Sequence, residues 1–197
     1  MANQIILASK SEIRQQLLKN AGVPFDVYVS EINEDRLRLN AKQQNPKNIA
    51  AILSDAKAHA VSCSHKNQLV LGCDQILDID GAILTKPQDK KQAAEQLAYL
   101  RNNTHKLYSA ASFYKNGEKM LQYTGSAELK MQNFSDTYLN SYLERNWQSI
   151  RHSVGAYKLE EEGARLFSCI AGDYFVILGL PLLEILSYLT QQGILQK

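Results

Sequence analysis

The chain lacks most of the features that would declare a chemistry outright. It has three cysteines in 197 residues, Cys63, Cys73 and Cys169, an odd number, widely spaced and without the C-x-x-C pairing of a zinc or redox centre. Buried free thiols in a reducing cytoplasm are the reading that fits. The four histidines, His59, His65, His105 and His152, show neither metal-ligand spacing nor a nucleophile partner. There is no G-x-x-x-x-G-K-[ST] loop, which disfavours a P-loop ATPase, and no G-x-S-x-G elbow for a serine hydrolase. The N-terminal apolar run Ile5-Ile6-Leu7-Ala8 is too short for a signal-peptide core or a membrane span, so no targeting segment and no membrane partner are expected. A formal net charge of +2 is too small a bias to imply a nucleic-acid polymer as partner. Repeats, low-complexity tracts and an interdomain linker are also missing.

What is present is 45% hydrophobic residues, enough for one substantial core, and the length predicts a single domain over 1–197 with room for two lobes. The chain opens as strand (4–8), loop and helix, with Ile13, Leu17 and Leu18 at helical spacing up to Ala21-Gly22. A second strand is expected over 25–32, then a polar segment (33–47), then a helix over 49–61 introduced by Asn45-Pro46. Leu69 to Ile79 reads as a strand ending in an Asp80-Gly81 hairpin turn, and Thr85-Lys86-Pro87 is a loop before a helix from about 91 to 100. Strands over 105–114 and 118–132 are joined by Lys115-Asn116-Gly117, and Ser135 caps a helix over 135–144. The last third is punctuated by Gly155, Gly163, Gly172 and Gly179, and Leu180-Pro181 starts a final helix through Leu189.

Three polar features follow short apolar runs: Ser9, Ser11 and Arg14; Asp74; and Lys86. A loop before a helix offers free N–H groups, serines donate hydrogen bonds, and basic side chains neutralise phosphate charge. Taken alone, the first segment reads better as a helix cap, Ser9 or Ser11, with Arg14 in solvent. Asp74 carries more information, because a carboxylate after Val70-Leu71-Gly72-Cys73 must be solvated or offset by metal, lysine or hydrogen-bond donors. It is a candidate metal ligand or water activator, or a structural turn residue. Glu34 could add metal charge, Lys57 sits in an alanine-rich helix where surface exposure is the default, and Lys86 is a loop lysine.

In order, these segments resemble the Maf family of septum-formation-associated proteins and nucleotide pyrophosphatases. The resemblance runs through Leu7-Ala8-Ser9-Lys10-Ser11 with Arg14 and Leu17-Leu18; Glu31-Ile32-Asn33-Glu34; Ala56-Lys57-Ala58; Asp74-Gln75; Lys86-Pro87; His105; Gly155-Ala156-Tyr157; and Gly172-Asp173 with Gly179-Leu180-Pro181-Leu182. It implies an α/β fold, a long twisted mixed sheet flanked by helices, with two lobes around a central cleft. It also implies a homodimer, a nucleoside triphosphate substrate, and cleavage to the monophosphate and pyrophosphate with a divalent cation, Mg²⁺ or Mn²⁺. Ser9, Ser11, Arg14, Lys57 and Lys86 would serve the phosphates and the chemistry, Glu34 and Asp74 the metal and water, and Asp74 would be the proton acceptor. The class of reaction suits this set, since charge developing on the transferred group and on pyrophosphate needs cations.

The chain departs from the family pattern in three places. Ser11-Glu12-Ile13-Arg14 stands for the usual Ser-Pro-Arg-Arg, Asn33 for an acidic residue, and Asn102-Asn103-Thr104 precedes His105 without the usual glycine. The base-recognition positions hold Ile13, Gln75 and Glu160. Gln75 and Glu160 resemble the 7-methyl-GTP branch and imply a guanine-type base, whereas Ile13 replaces that branch's tryptophan. The other role that the family name implies is a nucleotide-binding regulator of septum formation with little turnover.

Overall fold

A computed structural model describes residues 4–41 and 43–196. The strands β1 (Ile5–Leu7), β2 (Phe25–Val27), β3 (Val70–Ile79), β4 (Ala82–Leu84), β5 (Thr104–Lys115), β6 (Glu118–Met131) and β7 (Phe167–Gly172) form one seven-stranded sheet. Its order is β2-β1-β3-β5-β6-β7, with β4 also paired to β3. Pairing is parallel from β2 through β1 to β3 and antiparallel from β3 onward, so the sheet is mixed. The helices are α1 (Glu12–Asn20), α2 (Glu34–Asn40), α3 (Pro46–Ser64), α4 (Lys90–Leu100), α5 (Asp136–Ile150), α6 (Tyr174–Ile177) and α7 (Leu182–Gln191). Among the described residues no helix is long and apolar enough to cross a membrane.

Side chains alternate across a strand, and here the alternation sorts the molecule into layers. On one face of β3, Leu71 and Cys73 join β1, β5, α1 and α7 in one apolar cluster, with Leu18, Phe113, Ile185 and Leu189 at its centre. Leu77 and Ile79 join α4, α5 and β6 in a second, built around Leu97, Leu129, Tyr142 and Ile150. These are the two lobes. Between them the same face carries Gln75 on β3 opposite Ser109 on β5, a polar waist in an otherwise apolar stripe.

The other face of β3 is covered by α3, which contributes Ile49, Ala50 and Leu53 against Ile76 and Ala110. Gly72 lets this helix approach the sheet closely. A Cβ at that position would lie 2.3 Å from the Ser54 carbonyl oxygen and 2.6 Å from the Ala58 nitrogen, inside backbone that cannot yield. The close approach places Lys57, one turn along α3, over the strand that bears Asp74.

Several expected boundaries move for physical reasons. β2 stops at Val27 because its partner β1 ends at Leu7 in the same register, leaving Tyr28 and Val29 exposed. The polar 33–47 segment holds a helix, α2, capped by the Asn33 side chain, which accepts from the Arg36 N–H. β7 escapes a periodicity reading because it is a sheet edge with only Phe167 buried. α5 runs on to Ile150, and α7 begins at Leu182 with Pro181 just before it. The expectation of buried thiols holds for Cys73 alone; Cys63 lies near the C-terminus of α3 and Cys169 on edge strand β7, and both are exposed.

His105 is a core residue of the second lobe. Its Nε2 lies 2.7 Å from the Tyr157 hydroxyl, Nδ1 is buried without a partner among the described residues, and burial lowers its pKa from 6.5 to about 4. A group depressed in the folded state contributes stability above its unfolded pKa and loses it as pH falls, here between pH 6.5 and about 4. His105→Phe should therefore show a shallower loss of stability over that window, by on the order of 3 kcal/mol. Urea denaturation at stepped pH measures it, and an acid limb as steep as the wild type's would remove His105 from the account.

Candidate active site

The site forms where β3 lacks a neighbour along one edge. On that edge β1 pairs with Val70 and Leu71, and β4 pairs only from Leu77 onward. The stretch between them is left open in the middle of the sheet. The loop that leaves β1 carries Ser9 to the near side of the opening, and the loop that leaves β4 carries Lys86 to the far side. Asp74 lies in the open stretch and points to the α3 face.

Asp74 is only 4% exposed, so its charge requires compensation. Lys57 provides it, with Nζ donating to Asp74 Oδ1 at 2.6 Å and reaching Glu34 Oε1 at 3.1 Å. One ammonium thus ties α3 to the strand and to the start of α2. Glu34 is also paired through Oε2 with Arg38 Nη2 at 3.4 Å. Although partial burial pushes the Glu34 pKa up, Lys57 and then Arg38 and Lys86 outweigh it and hold the carboxyl below its ordinary range. Asp74 Oδ2 is buried and has no hydrogen-bond partner among the described residues.

Arg14 does not point to solvent. It is buried under the open edge, where Nη1 donates to the Cys73 carbonyl at 2.8 Å and to Ser9 Oγ at 3.2 Å, and Nε donates to the Gly179 carbonyl at 2.8 Å. The Cys73 carbonyl is among those that the missing strand leaves without a ladder partner, and the guanidinium satisfies it. Nη2 makes no hydrogen bond among the described residues. Lys86 is reached by solvent at its loop, yet its pKa is lowered by partial desolvation and by the like charges of Arg14 and Lys57. Three cations and two carboxylates therefore share one electrostatic neighbourhood.

A model of the family described as Maf-like protein matches residues 4–192. The chain belongs to that family. A relative from Ruegeria sp. (strain TM1040) called nucleoside triphosphate pyrophosphatase is 50% identical over 199 residues, covering 100% of both chains. One of the same name from Roseobacter denitrificans is also 50% identical over 100% of both. A relative from Bartonella quintana called 7-methyl-GTP pyrophosphatase is 40% identical over 99% of this chain and 98% of its own.

Against the Maf-like pattern, the remaining positions divide. Ser11 precedes α1, but its side chain makes no capping bond; its N–H donates instead to Ser9 Oγ at 3.3 Å. Ile13 packs against the first lobe's core. Glu160 is exposed in the turn after Tyr157, clear of the ion pairs that Glu161 and Glu162 make with Lys158, Arg145 and Arg165. Gln75 faces away from Asp74, and its amide nitrogen donates to Ser109 Oγ and to the Val176 and Ile177 carbonyls at 2.9 to 3.1 Å. Asn33, where the family favours an acid, caps the helix that begins with Glu34. Ser109 and Gly179 were not anticipated as parts of the site. Ser109 is visible in retrospect as a polar residue on the buried stripe Leu107, Ala111, Phe113.

A divalent cation would find hard carboxylate oxygen on Asp74 and Glu34, which Lys57 already brings together. Among the described residues no group of three or more His, Cys, Asp or Glu side chains converges. Two carboxylates completed by substrate phosphates and water match the way Mg²⁺ is commonly held. The ion pair itself is testable: in Lys57→Met, the Glu34 carboxyl should titrate at higher pH than in the wild type, followed by carboxyl-carbon NMR. An unmoved titration would show that Lys57 does not hold Glu34 charged.

Proposed function

We propose that the chain hydrolyses a nucleoside triphosphate at the α-phosphorus, releasing the monophosphate and pyrophosphate. The observation that carries this reading is the convergence of Arg14, Lys57 and Lys86 on one buried carboxylate, Asp74, whose Oδ2 has no partner. The names of full-length relatives support it. Arg14 and Lys86 bind phosphate oxygens, with the Ser9–Ser11 loop before α1 adding hydroxyl and N–H donors. Bringing a triphosphate among these cations relieves the like-charge repulsion from Arg14 and Lys57 that adds to desolvation in lowering the Lys86 pKa.

Asp74 takes a proton from the attacking water at Oδ2 as the new bond to the α-phosphorus forms. The bond from that phosphorus to the bridging oxygen breaks, and the departing pyrophosphate carries off the electron pair. Lys57 orients Asp74 through its bond to Oδ1, and its charge offsets the negative charge that grows in the transition state. Asp74 and Glu34 would hold a divalent cation, which when bound supplies further charge neutralisation for the phosphates.

The base we propose is of guanine type. Glu160 is exposed and carries a carboxylate able to accept from N1–H and the exocyclic amine of guanine. The Bartonella relative's name is consistent with that choice.

Asp74→Asn should fold normally and lose pyrophosphate release by about 10²-fold or more, assayed on GTP, 7-methyl-GTP, UTP and dTTP with Mg²⁺ or Mn²⁺. Full activity in that variant would remove Asp74 from the mechanism. Tight nucleotide binding by the wild type, with no metal-dependent products, would instead support a regulator.

A further inference from the structure

We infer that Gln92 and Gln96 are positioning residues for Lys86, a clamp on α4 that fixes where its ammonium meets the phosphates. The inference rests on the phosphate-binding role given to Lys86 above. That side chain makes no hydrogen bond among the described residues; Arg14 and Lys57 repel it, and Glu34 and Asp74 draw it, through charge alone. Such undirected forces leave its place to the backbone that carries it, the loop between β4 and α4. Helix α4 grips this loop on both sides of Lys86. Before it, Gln96 Nε2 donates to the Thr85 carbonyl at 2.9 Å; after it, the Gln88 N–H donates to Gln92 Oε1 at 2.7 Å. Between these two bonds Pro87 is buried and restricts φ.

Gln92 alone would pass for part of an ordinary helix start. Asp89 caps α4 by accepting from the Gln92 N–H at 2.8 Å, and a side chain at that position commonly reaches back toward the cap. Gln96 has no such explanation. It lies one turn further on, in the stripe Ala93, Gln96, Leu97, Leu100 by which α4 enters the core of the second lobe, and it is only 7% exposed. Its Oε1 is buried without a partner among the described residues, so this side chain costs stability that an apolar one of the same size would not. A polar residue that breaks an apolar stripe at such a cost marks a functional constraint. The bond it does make goes to the residue just before Lys86. The clamp thus ties Lys86 to the second lobe, whereas Arg14 and Lys57 belong to α1 and α3, and it sets the spacing of the cations across the opening.

Calorimetry with inorganic tripolyphosphate, a ligand without a base, reads the phosphate site alone. Gln96→Met, close in volume but without the donor, should weaken tripolyphosphate binding by about fivefold, the scale of one neutral hydrogen bond. Its melting temperature should stay at or above the wild type's, because the orphaned oxygen is gone and the exposed Thr85 can bond to water. Gln92→Met should weaken binding by a similar factor, and Gln92→Glu, which keeps an oxygen for the Gln88 N–H, should restore it. In a Lys86→Met background Gln96→Met should cost nothing further, because the two act in series. Unaltered tripolyphosphate affinity in Gln96→Met, a loss of affinity accompanied by a lower melting temperature, or additive losses in the double variant would each overturn the clamp. A Gln92→Glu variant no better than Gln92→Met would remove Gln92 from it. A wild type that binds tripolyphosphate but releases no pyrophosphate from nucleotides would sink the hydrolytic reading and leave the clamp standing.

Discussion

Between Leu71 and Leu77 one edge of β3 has no neighbouring strand, and the site is organised by the way that opening is filled. A strand edge in mid-sheet exposes carbonyls that must find donors. Arg14 supplies one from α1, which fixes its guanidinium at the mouth of the opening. Asp74, in the same stretch, is buried and needs a bonding partner, and Lys57 arrives from α3 because Gly72 removes the side chain that would keep the helix away. Each of these side chains satisfies a local deficit, and together they set two cations beside one buried carboxylate.

The division into two lobes follows from the same strands. β3 and β5 are long enough to take part in both apolar clusters, so the lobes share a sheet and are separated only where Gln75 meets Ser109. Polar side chains on a buried face are costly unless fully bonded. Here the carbonyls of α6 provide the partners, which draws the 173–180 segment over the waist and brings the Gly179 carbonyl to Arg14.

Much of this was legible in the sequence. Asp74 stood out because a carboxylate broke an apolar run, and the strands on either side were set by period-two alternation and turn residues. Lys57 was legible too, although composition pointed the other way. It falls in the stripe Ala50, Leu53, Ser54, Ala58, Val61, the buried face of α3, and Arg14 likewise shares a stripe with Leu17 and Leu18. A charge in such a stripe is either an error of pattern or part of a site. What could not be read locally depends on distant partners: where β2 ends, that α2 forms, that edge strand β7 exists, and that Gln75 is engaged by a turn about a hundred residues later. Those are tertiary facts, and period alone does not contain them.

The central claim is that water attacks the α-phosphorus beside Asp74. Hydrolysis of GTP in ¹⁸O-labelled water, with the products separated and weighed by mass spectrometry, tests it most directly. The account predicts one labelled oxygen in the nucleoside monophosphate and none in pyrophosphate; label in pyrophosphate, or release of single phosphates, would contradict it.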